Sequence, residues 1–193
     1  MRKFNLILIV AVDVSLLAVA SRAQDTNVFP EVPQTRLEAF ETNTGVVLIK
    51  GTAPIGSVSA TGGVVSVRCK EDANASTGQK EYGIAISIAT SPLQEDRTII
   101  DYDELDSILN AIDHLNKIDR SVTSLTSFDA IYTTKGGLRI VAFSRNRSGT
   151  IEFAVRSSHT NSVPVSLSRE EIAQFRNLID QARHKLDLIR AGK

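Results

Sequence analysis

The stretch DYDELDSILNAID at residues 101–113 decides the fold, because SREEIAQFRNLID at residues 168–180 repeats its pattern. Each stretch begins with a residue that commonly caps a helix, Asp101 or Ser168, and has a glutamate three positions later. Apolar residues then recur every three or four positions, which is typical of a helix with one buried face. The two stretches therefore predict two capped, amphipathic helices.

The apolar stripes of these helices define their predicted buried faces. The residues of the first stripe are Leu105, Ile108, Ile112 and Leu115. The residues of the second stripe are Ile172, Phe175, Ile179, Ala182, Leu186 and Ile189. Each helix follows a short extended run, at residues 98–100 and 165–167, so both helices are predicted to come directly after a strand.

Alternating apolar residues upstream of each helix predict antiparallel strands. The alternating sets are Val65, Val67 and Cys69, then Ile84, Ile86 and Ile88, and later Ile151, Phe153 and Val155. A period of two indicates strands with one buried and one exposed face. Turn signals separate the strands at residues 62–63, 146–149 and 159–162, and residues 71–80 are predicted to form a loop.

The starts of the two units also resemble each other, since EAFETNTG at residues 38–45 matches DAIYTTKG at residues 129–136. The sequence therefore predicts an α+β fold of two tandem repeats. Each repeat is a four-stranded antiparallel sheet followed by one amphipathic helix, and the two-layer units are related by a pseudo-twofold axis. The alternative is one irregular α+β domain in which the similarity is coincidental.

The first 23 residues have the order of a secretory signal peptide. Two basic residues precede an apolar run, and small residues precede the predicted cleavage site after Ala23, with Ala20 as the second choice. The protein is then predicted to be secreted or periplasmic, with no membrane span after cleavage. An uncleaved anchor is the alternative, but Asp13 and the shortness of the apolar run disfavour a span.

The remaining chain is predicted to have three parts. Residues 24–36 form a flexible lead-in, residues 37–120 the first unit and residues 121–193 the second. The two units are expected to pack as one globular domain.

Composition narrows the classes of function. The 193 residues include 22 basic and 22 acidic ones, and removal of the signal peptide leaves a net charge of −2. A balanced charge disfavours a basic nucleic-acid coat, and 42% hydrophobic residues can bury a core. The lone Cys69 excludes an intrachain disulfide, and its place on the apolar side of a strand predicts an inert thiol.

Catalytic and cofactor-binding motifs are absent from the sequence, which lacks a nucleophile elbow, a dinucleotide-binding glycine turn and a phosphate-binding loop. The three histidines, His114, His159 and His184, are scattered, so neither a metal nor another cofactor is expected. Acidic residues at the start of the first helix favour the helix dipole rather than catalysis.

One group of candidate site residues remains, a basic sheet face. It consists of Arg68, Lys70 and Arg156, which the strand alternation places on the outward side, and of Lys50 and Arg139, which the repeat adds to them. Arg145 and Arg147 lie in an adjoining predicted turn. Such a face can bind an acidic or polyanionic partner. The alternative is ordinary, because exposed strand positions often carry Lys and Arg that discourage edge-to-edge aggregation.

Four strands followed by a helix, occurring twice over most of residues 37–190, resembles the Whirly and PC4-like single-stranded nucleic-acid binders in the order of elements. The Whirly family's Lys-Gly-Lys-Ala-Ala-like motif has no counterpart here, so no binding residues are carried over. Residues 101–188 also resemble a family of secreted bacterial proteins of unknown function, and this likeness implies export alone.

Three functional hypotheses follow from the sequence. The first is an exported, non-catalytic binding or structural module, which could form a homo-oligomer through the exposed stripes of its helices. The second is a binder of single-stranded nucleic acid or another polyanion on the basic face. The third is an enzyme with an unrecognised site.

Overall fold

A computed structural model of the protein describes residues 34–144, 150–158 and 162–192. The predicted signal peptide and residues 24–33 of the lead-in lie outside the described residues. In chain order the elements are α1 (Arg36–Glu41), β1 (Leu48–Ala60), β2 (Gly63–Asn74), β3 (Lys80–Ser91), β4 (Gln94–Asp101), α2 (Leu105–Lys117), β5 (Asp129–Thr133), β6 (Leu138–Ser144), β7 (Ile151–Ser157), β8 (Val165–Leu167) and α3 (Arg169–Arg190).

The α+β fold is confirmed, with two four-stranded antiparallel sheets that share one topology. The first sheet has the order β1-β2-β3-β4 and the second the order β5-β6-β7-β8, so each consists of hairpin-connected neighbours. A helix follows each sheet directly, since a short 3-10 turn at Tyr102–Glu104 leads from β4 into α2 and Ser168 leads from β8 into α3. The strands of the first sheet are longer than those of the second.

The two helices are exchanged between the sheets. Helix α2, which follows the first sheet, packs against β5 and β6 of the second. Helix α3, which follows the second sheet, packs mainly against β1 and β2 of the first, and the two helices also contact each other. Helix α3 also contacts β7 and β8 of its own sheet, so it lies against both sheets, whereas α2 packs on the sheet of the other unit.

One hydrophobic core results from this exchange. The stripe residues Leu105, Ile108 and Ile112 of α2 and Phe175 and Ile179 of α3 are buried in the same cluster, together with inner strand residues of both sheets. The outer end of the β1–β2 hairpin also contacts the second sheet, because the backbone N–H of Ser166 donates to the carbonyl of Thr61 at 3.2 Å.

Helix α1 covers the outer face of the first sheet, which is the face turned away from α2 and α3. Its Leu37 is fully buried in a small apolar cluster with Ala85 of β3 and Ile99 of β4. The sequence prediction missed this helix. Thr35 caps it through a capping box with Glu38, although the signal is brief and the helix has only six residues.

Residues 38–45 and 129–136 do not have the same structure, which corrects the predicted match between the starts of the two units. The first segment contributes to α1, whereas the second contains strand β5. A short polar–apolar pattern is compatible with either a helix or a strand. Packing against the sheets therefore determines which of the two each segment forms. The match at residues 101–113 and 168–180 does correspond to the two helix starts.

Only one of the two predicted capping boxes forms. Ser168 and Glu171 form the box of α3, as expected. Asp101 makes no cap for its own helix, and its carboxylate instead accepts hydrogen bonds from the N–H groups of Arg36 and Leu37 in α1. Glu104 likewise accepts from the backbone N–H of Lys135 at 2.9 Å, in the turn between β5 and β6.

The predicted loop at residues 71–80 is shorter than expected. Strand β2 runs to Asn74 and β3 begins at Lys80, so only residues 75–79 connect the strands. The predicted turn at Gly62-Gly63 is present, and Gly62 has a φ of 90°, a conformation that glycine adopts at little cost. Among the described residues, no helix combines the length and apolar character that a bilayer-spanning segment requires.

Candidate functional site

The five predicted site residues lie on the outer faces of two different sheets. Lys50, Arg68 and Lys70 belong to β1 and β2 of the first sheet. Arg139 and Arg156 belong to β6 and β7 of the second. The structure therefore divides the predicted basic face into two groups with different surroundings.

Lys70 is buried beneath α1, which corrects the prediction that it is an exposed cation. Only 3% of the residue is exposed. Its ammonium group binds the carboxylate of Glu41 in α1 and lies 3.5 Å from Oδ2 of Asp72. The two counter-charges neutralise Lys70 and fasten α1 to the sheet, so this lysine is not available to a ligand.

The carboxyls of Glu41 and Asp72 have opposite pKa shifts. Burial raises the pKa of Asp72 to about 6, and the neighbouring Glu41 adds to the rise. Burial opposes ionisation of Glu41 too, but hydrogen bonds from Lys50 and Lys70 outweigh it and lower the pKa of Glu41 to about 2. Such a split is what acid–base catalysis requires. Asp72 is fully buried, however, and no substrate can reach its carboxyl.

Lys50 and Arg68 are exposed, but only one of them keeps its charge unpaired. Lys50 donates to Glu41 at 2.7 Å, at the edge of the same ion-pair group. Arg68 lies opposite Pro54 on one side and Ala85 on the other. Arg68 has no ion pair with any residue in the part of the chain that the structure describes.

Arg139 and Arg156 lie directly opposite each other on neighbouring strands. Both are half-buried, and Nε of Arg139 is buried without a hydrogen-bond acceptor among the described residues. An unsatisfied buried donor costs about 1–3 kcal/mol, and like charges placed opposite each other on a sheet are destabilising. This pair is thus unfavourable for stability, and an anionic group bound between the two guanidinium groups would offset the cost.

The remainder of this outer face is aliphatic and then acidic. Val141 lies between Ile131 of β5 and Ala154 of β7, and Ile131 is 49% exposed. Beyond them, Phe143 lies opposite Asp129 on one side and Glu152 on the other. We call this surface the open face. Arg145 and Arg147, which were expected near it, lie outside the described residues.

A separate cleft of about 370 Å³ lies between β1, β2 and the end of α3. Its lining is mainly apolar and includes Ala53, Cys69, Leu186 and Ile189. Burial raises the pKa of the Cys69 thiol to about 11, so the thiolate is scarce at neutral pH. The cleft can accept an apolar side chain but offers no nucleophile.

Two sets of residues around the candidate sites were missed at the sequence level. Asp72 was predictable, because Arg68, Lys70 and Asp72 occupy alternate positions. If the strand continues to residue 72, all three side chains lie on the same face. Val141 follows Arg139 on the same face of β6, and only the sheet register shows that Ile131 of β5 lies beside Val141. Comparison with protein-family models, curated proteins and solved structures finds no match to this chain.

Proposed function

We propose that the protein is an exported, non-catalytic binding module whose open face binds an acidic segment of a protein partner. The observation that carries this proposal is the opposed pair Arg139 and Arg156, with Nε of Arg139 buried and without an acceptor among the described residues. A carboxylate is the group that a guanidinium binds with two parallel hydrogen bonds. A ligand carboxylate would relieve both the repulsion and the missing acceptor.

The contrast between the two sheets supports this proposal. On the first sheet, α1 places Leu37 on Ala85 and Glu41 on Lys70, so one short segment covers both an apolar and a charged group of the outer face. On the second sheet, Ile131 on the corresponding surface is 49% exposed, so that part of the surface is open to solvent. An outer face of this fold is therefore able to bind a segment that combines an apolar and an acidic side chain.

The charge distribution of the open face favours a protein segment over a nucleic acid. Arg139 and Asp129 lie at opposite ends, and about four residues of strand, or roughly 13 Å, separate the arginine pair from Phe143. A phosphate chain long enough to cross the face would meet the carboxylate of Asp129. A peptide can instead pack an apolar side chain on the aliphatic centre of the face and place a carboxylate on the arginine pair.

Export is part of the proposal and rests on the sequence alone. The order of basic residues, apolar run and small residues in positions 1–23 supports a cleaved signal peptide. The mature chain would then act outside the cytoplasm, as a secreted or periplasmic protein.

Calorimetric titration of the mature protein tests the open face. The probes are an extended peptide of alternating valine and glutamate and, separately, a single-stranded oligothymidine. We expect the peptide to bind, and the double variant Arg139→Ala with Arg156→Ala to weaken it by about tenfold or more, since buried charge-assisted bonds contribute roughly 1.5–3 kcal/mol. Arg68→Ala is the matched control, because Arg68 is an exposed arginine on the other sheet.

Each outcome of this titration decides between the hypotheses. Salt-sensitive binding of oligothymidine that is tighter than peptide binding, and that is lost in the double variant, would assign the face to nucleic acid. Equal weakening by Arg68→Ala would show nonspecific attraction to cations. Absence of binding to either probe would overturn the proposal.

A further inference from the structure

We propose that two copies of this chain associate through the free edge of β1, which pairs antiparallel with its symmetry mate about Gly51. This inference is independent of the open face. The open face belongs to the second sheet, whereas β1 is an edge strand of the first sheet. It rests on the backbone orientation of β1, on the side chains at residues 49–53 and on the apolar cleft beside them.

Strand β1 is an edge strand whose outward backbone groups can be identified. The carbonyl of Val47 accepts from the N–H of Ala75 at 3.0 Å, so Val47 faces the β2 side. Backbone groups alternate in direction along a strand, and Lys50 and Thr52 therefore point away from β2. Pro54 agrees with this assignment, because a proline is tolerated only where no ladder N–H is required. In the described part of the chain, no strand other than β2 pairs with β1.

The same strand exposes an apolar side chain next to an apolar cleft. Ile49 is 59% exposed and lies on the inner side, two residues from Gly51 and four from Ala53 along the same face. The cleft of about 370 Å³ lies between Ala53 and the α3 residues Leu186 and Ile189. An isoleucine side chain placed opposite Ala53 would pack over this cleft and be removed from water.

Pairing about Gly51 satisfies both observations at once. In this register Ile49 of each copy lies opposite Ala53 of the other, at a closely spaced pair of the ladder. Lys50 lies opposite Thr52, so the two lysines avoid each other and each keeps its bond to Glu41. Roughly six main-chain hydrogen bonds would join the copies, and the missing N–H of Pro54 ends the ladder.

Other registers are disfavoured by the same residues. A ladder centred on Lys50 places two ammonium groups opposite each other, which is destabilising. A ladder centred on Thr52 places Lys50 opposite Pro54, which cannot donate. Lys and Pro are residues that discourage indiscriminate edge pairing, and here they disfavour the two registers next to the one centred on Gly51. A register shift between Pro54 and Gly56 in the β1–β2 pairing prevents a longer ladder.

Analytical ultracentrifugation of the full mature chain tests the proposal. We expect a dimer, and we expect Ile49→Glu to raise the dimer dissociation constant by about tenfold or more, since it places a charge over the apolar cleft. Leu93→Glu is the matched control, because Leu93 is 99% exposed in the β3–β4 turn and should leave the dimer unchanged. Thr52→Pro removes an outward N–H and should give a folded monomer, with circular dichroism to verify the fold.

Cysteine cross-linking tests the register itself. Ile49→Cys combined with Ala53→Cys, in a Cys69→Ala background, should form an intermolecular disulfide, because positions 49 and 53 of one chain are about 13 Å apart and cannot bridge each other. Either single cysteine variant should remain uncrosslinked. A monomeric wild-type protein overturns the proposal. If the β1 edge amides of such a monomer are protected from hydrogen exchange, another segment or molecule occupies the edge. Equal cross-linking of a single variant would also overturn the Gly51 register.

Discussion

The carboxylate of Asp101, at the end of β4, accepts a hydrogen bond from the backbone N–H of Leu37 at 3.0 Å across 64 positions of sequence. Its second oxygen accepts from the N–H of Arg36 at 2.8 Å. A six-residue helix is not stable alone, so α1 depends on the groups that bind its ends and its apolar face. Asp101 is therefore an anchor for α1 rather than the cap of α2.

Replacing Asp101 with alanine should destabilise the protein more than a surface change nearby. The variant leaves two backbone donors without acceptors, and we expect a loss of about 3 kcal/mol in the free energy of unfolding. Asp103→Ala is the matched control, since Asp103 pairs with Arg36 on the surface at 3.0 Å and should cost below about 1 kcal/mol. Urea denaturation followed by circular dichroism measures both. Equal losses would contradict the anchoring role.

The buried Asp72 should make stability depend on pH. Its folded pKa of about 6 exceeds the ordinary value of 3.8, so its contribution to stability is present at low pH and is lost as the pH rises through about 6. Relative to wild type, Asp72→Asn should gain about 2 kcal/mol between about pH 4.5 and about pH 7.5. Chemical denaturation at the two pH values measures this difference. A constant difference would show that Asp72 stays charged throughout.

The thiol of Cys69 should be unreactive in the folded protein. Cys69 is 2% exposed and its pKa is raised to about 11 by burial, so both access and thiolate are limited. Alkylation by iodoacetamide at about pH 8 should be at least about a hundredfold slower in buffer than in concentrated urea. Mass spectrometry of the modified fraction follows both rates. Rapid labelling of the native protein would show that the cleft opens to Cys69.

The exchanged helices should make the two units inseparable. Fragment 34–123 lacks α3, which packs on β1 and β2, and fragment 124–192 lacks α2, which packs on β5 and β6. We expect neither fragment to show cooperative unfolding alone, and an equimolar mixture to recover the spectrum of the intact chain. Circular dichroism and size-exclusion chromatography test this expectation. Cooperative unfolding of either isolated fragment would mean that each helix can cover its own sheet.

The helices and most strands were predictable because their patterns are local. The stripes of α2 and α3 and the alternation around Ile84 and Phe153 follow directly from periodicity. These residues are buried as expected, except for Ile151 and Ile189, which are half-buried. Asp101 was assigned to the wrong helix because a capping pattern records sequence spacing and not the distant donors that compete for the carboxylate. Helix α1 was missed since its stability comes from the sheet beneath it.

The site residues were predictable as members of strands but not in their surroundings. Alternation placed Lys70 on the correct face, yet its burial depends on Glu41 from α1, which packs there only in the folded chain. The opposition of Arg139 and Arg156 is a matter of register between strands, and residue types along one strand do not determine it. The sequence also does not determine which sheet each helix packs on, because either apolar stripe could cover either sheet.

Helix exchange also sets an order of events during synthesis. The thiol of Cys69 on β2 lies against the carbonyl of Ala182 on α3, 113 positions later. At about 5–20 residues per second, roughly 6–23 s pass before the ribosome adds the partner that shields this strand. A chain emerging from the ribosome therefore keeps the inner face of its first sheet partly uncovered until α3 has been synthesised, and a premature stop before α3 would yield a product with an exposed, aggregation-prone surface.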